Sequence, residues 1–257
     1  MASDIGWWGL AASAVLVAVA VALSMLRQLR LERSIVWSSA RAAVQLLLVG
    51  VALDVLLDAG VAWSWAWVVG MVVFAADTVH RRAPEVPGVT VLALGAFAAA
   101  AVVTLAVLFG LDVFPLEPRT LIPLAGMMIG NAMTSTVLVA RRVLEELRDK
   151  RDEVEARLAL GLASADAAKP YVRAALRTAL IPQIETTKSV GLVFLPGAMT
   201  GLILAGADPF DAVRVQIAVM YLVLGSVATT VTVVGLGAQR RLFTTDHRLV
   251  VPSRPAD

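Results

Sequence analysis

The stretch TLIPLAGMMIGNAMTSTVLVA, residues 120 to 140, decides the fold. It carries no charge from end to end. At about 1.5 Å per residue, a helix of this length crosses about 30 Å of bilayer hydrocarbon. Asn131 sits near its middle, too deep for its amide to reach an aqueous surface. That amide needs a partner in another helix, in water or in a cargo. Gly126 and Gly130 lie four apart and open one face for close helix approach, and Met127 and Asn131 share a neighbouring stripe.

Runs of the same kind recur outward in both directions. The chain of 257 residues is 59% hydrophobic, with a mean hydropathy of +0.81. A soluble domain is nearer about 45–50% apolar. Spans are expected near 6–26, 35–57, 61–79, 89–111, 120–140, 187–207 and 214–238. They are apolar on every side and lack a period of two, so they read as helices and not barrel strands. The expected fold is an all-α polytopic integral membrane protein, a single transmembrane domain over 1–257. It has seven transmembrane helices and a cytoplasmic helical hairpin between the fifth and sixth. The third span is the shortest, bracketed by Asp58 and Asp77. With no cysteine, a disulfide framework and a cysteine–zinc site are both excluded.

Basic residues set the expected orientation. Arg27, Arg30 and Arg33 follow the first span, Arg81 and Arg82 the third, and nine Lys and Arg the fifth. Arg240, Arg241, Arg248 and Arg254 follow the seventh. With seven spans, all these lie on one side, and the opposite loops hold only Arg119, with Arg214 at the mouth of the last span. The positive-inside rule puts the amino terminus outside and the carboxyl terminus in the cytoplasm, in an inner-membrane, multi-pass arrangement. A net charge of only +2 makes the bias topological, with no nucleic-acid partner implied. The flank MASDIGWW has an acid and no base, the reverse of a secretory signal, so the first run reads as a retained span.

Residues 141–185 form the long polar stretch. RRVLEELRDKRDEVEARLALG continues the fifth span as a charged helix, with Glu146–Lys150 and Glu153–Arg157 at i, i+4. Gly161 is placed to end it in a left-handed cap. Ser164 is placed to cap a second helix, with Asp166 in its first turn and Pro182 at its end. The hairpin is either a solvated surface or a docking surface. Its Glu155–Ala156 pair followed by Gly161 resembles the first half of the EAA loop of ABC-importer permeases, which seats in a groove of the ATPase. Ile181–Pro182 lies too far downstream to match the second half.

Within the spans, polar residues fall in a few places. Arg41 and Gln45 open the second, Asn131 and Thr134 lie in the fifth, and Glu185 and Lys188 begin the sixth. Thr200 and Gln216 follow in the sixth and seventh. Such residues face helices or a cavity; interhelical glue, snorkelling of Arg41 and a translocation path are the readings they leave open. Met127, Met128, Met133 and Met199 either fill gaps or offer thioethers to a soft metal, with Glu185 as a carboxylate candidate. Neither His80 nor His247 has metal-ligand spacing. The sixth span holds Pro196–Gly197 in its middle and Gly197–Gly201 as a GxxxG, marking either close packing or a gate or dimer seam.

SSARAAVQLLLVG at 38–50, AGMMIGNAM at 125–133, LALG at 158–161, RTALIPQIETTKSVGLVFLPGAMTGLILAGADPFDAVRVQI at 177–217 and HRLV at 247–250 together resemble the FetB-like permease family. That family includes a bacterial iron exporter's membrane subunit and a plant half-transporter linked to aluminium tolerance. The resemblance implies an ABC transporter permease, a homodimer in the lipid bilayer, paired with an ABC ATPase subunit. Its cargo would be a metal ion, iron foremost, or a small metabolite such as a nucleotide sugar. No GxxxxGK[ST] occurs, so this chain is expected to bind no cofactor, with ATP used by the partner subunit. The expected path residues are Asn131, Met127, Met133, Gln45, Met199, Thr200 and Gln216. Pro196, Gly197 and Gly201 are the expected helix break, and Glu155, Ala156 and Gly161 the expected ATPase contact. Asp54, Asp77 and Glu185 all lie near span ends, against a proton-driven transporter. The spans contain no histidine and no carboxylate pair for an intramembrane enzyme.

Overall fold

The computed structural model describes residues 6–58, 60–193 and 195–250, with the side chains of Trp7, Leu10 and 53–58 left out. The carboxylates of Asp54 and Asp58 and the tail's Arg254, considered above, thus lie outside the described residues. Among those described, the chain is helical, with nine helices and an isolated bridge between Phe243 and Leu249. It divides into two compact units, residues 1–60 and 61–257.

The first unit is a helix pair, α1 (Trp7–Leu26) and α2 (Glu32–Asp58). Gln28 takes φ 54°, so its N–H reaches Met25 O while Leu29 N–H reaches Ser24 O, closing the helix in a Schellman turn. The buried Ser24 fixes the corner. Its Oγ donates to Glu32 Oε1 at 2.8 Å and accepts from Leu31 N–H.

The second unit holds α3 (Val61–Arg82), α4 (Val89–Gly110), α5 (Pro118–Asp149), α6 (Arg151–Ala159), α7 (Ser164–Ser189), α8 (Gly197–Leu204) and α9 (Pro209–Arg241). Helix α9 is its hub, packing on α4, α5, α7 and α8. Glycine permits the closest of these approaches. A Cβ on Gly235 would lie 2.6 Å from Leu176 Cδ2 and 3.2 Å from Val139 Cγ2, and one on Gly237 would overlap Leu92. Buried hydroxyls bond within their own helices: Thr104 to Ala100 O, Thr136 to Ala132 O, Ser226 to Val223 O and Thr230 to Val227 O. Each is satisfied without needing another helix.

Five described helices are long and apolar enough to cross a membrane: α2 over Glu32–Ala52, then α3, α4, α5 and α9. The apolar run in α1, Ala11–Leu26, is shorter. The sixth expected span is not one continuous helix. Helix α7 runs straight through Pro182 to Ser189, the chain breaks, and the eight-residue α8 starts only at Gly197. A proline inside a helix removes one hydrogen bond but does not forbid passage. Here the buried Val172, Ala175 and Ala179 hold α7 against its neighbours up to that point. The break falls instead at Gly191, whose φ of +82° a helix does not contain, and at Pro196.

The polar stretch differs in detail from expectation. Ser164 is the first helical residue of α7, and Ala163 occupies the cap position with no side-chain bond. Glu146 pairs with Arg142 at 2.8 Å, Lys150 with Glu153 at 2.8 Å and Arg151 with Glu155 at 2.6 Å, displacing the expected Glu146–Lys150 and Glu153–Arg157 pairs. The i, i+4 spacing is kept, but Glu146 is taken by Arg142 and Glu153 by Lys150 and Tyr171.

Candidate functional site

A cavity of about 470 Å³ opens between α5, α7, α8 and α9. Helix α5 contributes Met127 and Asn131, α9 contributes Gln216, Val219, Met220 and Val223, and the end of α7 contributes Gln183, Thr186, Thr187 and Val190. Pro196, Gly197 and Ala198 supply the remaining wall, where α8 begins. The break between α7 and α8 therefore borders the cavity, as interrupted helices do at many transport sites.

Gln216 distinguishes this cavity from ordinary packing. It is 7% exposed, and its Oε1 is buried with no hydrogen-bond partner among the described residues. An unmet buried acceptor costs about 1–3 kcal/mol, while the buried hydroxyls of α4, α5 and α9 are each satisfied by their own helix. Asn131 is exposed to the cavity side and resolves its need within α5: Nδ2 donates to Met127 O at 2.7 Å. That bond uses one of its two amide protons and stays within its own helix.

The other expected path residues are dispersed. Met133 is half-buried against the core, and Met128 is fully buried with its sulfur 2.9 Å from Thr104 Oγ1. Thr200 Oγ1 donates to Pro196 O at 3.2 Å, and Met199 is half-buried; neither lines the cavity. Gln45 lies exposed on α2, in the first unit. Glu185 is an exposed partner of Lys188 at 2.8 Å, and of the three expected metal ligands Met127 alone lines the cavity. Among the described residues no group of three or more His, Cys, Asp or Glu is placed to hold a metal. Gly197 borders the cavity, Gly201 is exposed, and among the described residues no atom approaches within 4 Å of where either Cβ would be, so the GxxxG packs closely on no described helix. Thr186, Thr187 and Gln183 escape sequence reading because Pro182 reads as the end of α7.

A second constellation lies where α6 meets α7. Gly161 has φ +88°, its N–H reaches Leu158 O, and Leu162 N–H reaches Arg157 O. This is the left-handed cap expected of it. Tyr171 Oη donates to Glu153 Oε2 at 2.9 Å and ties α7 back to α6. The hydrogen bonds from Lys150 and Tyr171 hold the Glu153 carboxyl below its ordinary range. The segment 246–249 packs alongside, and His247 Nδ1 lies 3.0 Å from Ser164 Oγ and 3.3 Å from Ser164 N. Together they line a cavity of about 660 Å³ that includes Glu155 and Gly161, with Arg151, Asp246, His247 and Arg248.

Comparison with known proteins follows the same lines. The family profile described as "Uncharacterised protein family (UPF0014)" matches residues 7–243. The chain is 42% identical to the UPF0014 membrane protein STAR2 of Oryza sativa subsp. japonica, over 84% of this chain and 76% of that one. It is 37% identical to the protein ALUMINUM SENSITIVE 3 of Arabidopsis thaliana, over 84% and 80%. It is 33% identical to the probable iron export permease protein FetB of Escherichia coli (strain K12), over 94% of each. No solved structure matches it.

Proposed function

This chain belongs to the UPF0014 family of membrane proteins, and we propose that it is the membrane-spanning permease subunit of an ABC transporter that exports a metal ion, iron foremost. The observation that carries this reading is the orphaned Gln216 Oε1 in the cavity beside the α7–α8 break. An unmet buried acceptor is costly, and a ligand held in the cavity would supply its missing donor. Similarity to a protein named as a probable iron export permease supports the cargo.

The transporter is a homodimer, with seven crossings per chain, an outside amino terminus and a cytoplasmic carboxyl terminus. In this reading the sixth crossing is made by the end of α7, the break and α8, and not by one helix. A separate ATPase subunit seats on the α6–α7 elbow through Glu155, Ala156 and Gly161, where Glu155 and Gly161 share a cavity with the segment 246–249. An anionic metabolite is the second reading, because the first backbone amides of α8, at Gly197 and Ala198, border the cavity.

The test is co-reconstitution of the chain with its ATPase in proteoliposomes, with the nucleotide-binding side outward. ATP-dependent accumulation of iron inside the vesicles is expected. Hydrolysis without movement of iron, but with movement of a nucleotide sugar, would replace the first reading with the second.

A further inference from the structure

The cavity's hydrogen-bond ledger identifies the kind of cargo it holds. Asn131 commits its Nδ2 to Met127 O. Thr186 Oγ1 donates to Pro182 O at 2.9 Å, and Thr187 Oγ1 donates to Gln183 O at 2.8 Å. A hydroxyl has one proton to give and two lone pairs to offer, and an amide oxygen only accepts. With their protons directed to helix carbonyls, Thr186 and Thr187 are left with oxygens that accept, while the amides of Asn131, Gln183 and Gln216 each bring an oxygen that accepts and N–H groups that donate. Gln216 Oε1 accepts from nothing among the described residues. The thioethers of Met127 and Met220 are weak acceptors as well. No Asp, Glu, Lys or Arg is among the described residues that line the space.

Resting on the permease reading above, we propose that this cavity holds a metal cation together with its shell of water, through Gln216, Asn131, Thr186 and Thr187, and excludes anionic cargo. Four neutral acceptors without a carboxylate do not compensate for stripping a multiply charged ion of its water. They do suit the water itself. Water bound to a cation is polarised and donates more strongly than bulk water. Six waters at about 30 Å³ each occupy about 180 Å³, well inside a cavity of about 470 Å³. The amides at the start of α8 are the feature that favours an anion. They face the opposite end of α7, whose cap residue Val190 is in the same wall. The two helix-end fields oppose each other and leave the side-chain oxygens to decide.

The test uses the full chain in lipid nanodiscs and three probes: Fe²⁺ under anaerobic conditions, cobalt(III) hexaammine, and uridine diphosphate glucose. Cobalt hexaammine does not exchange its ligands and presents N–H donors on all sides, so it binds only as an intact shell. It should compete with Fe²⁺, and the nucleotide sugar should not. Gln216→Leu should weaken both cations about tenfold, the loss of one hydrogen bond to a charged complex, and should raise the melting temperature by removing an unmet acceptor. Gln216→Glu should tighten both. A merely structural Gln216 would show the reverse for Gln216→Leu: a lower melting temperature and unchanged binding. Iron binding without hexaammine competition, or competition by the nucleotide sugar, would overturn the proposal. ATP-driven iron transport, measured separately, distinguishes the two readings. If it persists without hexaammine competition, the shell mechanism fails and the permease stands. If hexaammine binds as expected but no ATP-driven transport occurs, the site stands and the permease reading fails.

Discussion

Gln216 and Asn131, two of the three amides that line the site, have unequal prominence in the sequence. Asn131 stands out in an uncharged run, whereas Gln216 looks like one polar residue in a mixed stretch. The structure reverses the order, because Asn131 satisfies itself on Met127 O and Gln216 does not. Side-chain back-bonding to the i−4 carbonyl is available to any Asn in a helix, and no sequence pattern reports whether it is used. Asn131→Leu should therefore cost little stability, under about 1 kcal/mol, because it removes a bond within one helix. Thermal unfolding checks this. Transport by the same variant should fall sharply while expression and basal ATPase activity remain. Undiminished transport would remove Asn131 from the path. Met127 and Met133 share a residue type and a helix, yet only Met127 reaches the cavity. Separating them needed the packing of α5, which a list of apolar positions does not supply.

At the scale of elements, the helices were legible and their ends less so. The expected spans near 61–79, 89–111 and 214–238 fall within α3, α4 and α9, because long apolar runs bounded by charge and glycine leave little choice. Pro182 misled, since it marks the end of a helix only where packing beyond it is lost. Gly161 was correctly legible, and four helices end in the same turn, α6 and α8 with glycine and α1 and α4 with Gln28 and Asp112 at positive φ. Glycine is the residue a sequence reader can use; Gln28 and Asp112 carry no such signal. Gly161→Val should break the α6–α7 elbow, because a β-branched residue at φ +88° is strained even where space is open. ATPase co-purification with this variant should be lost while the chain still inserts. Normal co-purification and stimulated hydrolysis would move the contact elsewhere.

For the whole molecule, composition alone fixes residence in a membrane, but five described helices meet the length and apolarity of a span where seven runs were expected. The shortfall arises at two runs: the apolar part of α1, Ala11–Leu26, is shorter, and in the sixth run Gly191 and Pro196 interrupt a stretch that stays apolar beyond Lys188. Hydropathy reports solvent preference and is blind to a broken helix. The orientation rests on Lys and Arg placement. Cysteine at Ser3 should be reached by an impermeant thiol reagent from outside, and cysteine at Ser253 should not; both positions lie outside the described residues. The reverse pattern would overturn the seven-crossing arrangement.

The central claim is that the cavity beside the α7–α8 break is a path opened in turn to each side by a separate ATPase. The chain has no cysteine, so Asn131→Cys gives a single probe on the cavity wall. Its labelling by an impermeant thiol reagent, applied from each face of vesicles holding the permease and its ATPase, measures access directly. The account predicts labelling from one face without nucleotide and from the other with ATP trapped on the ATPase. Labelling from the same face in both states, or from neither, would contradict it.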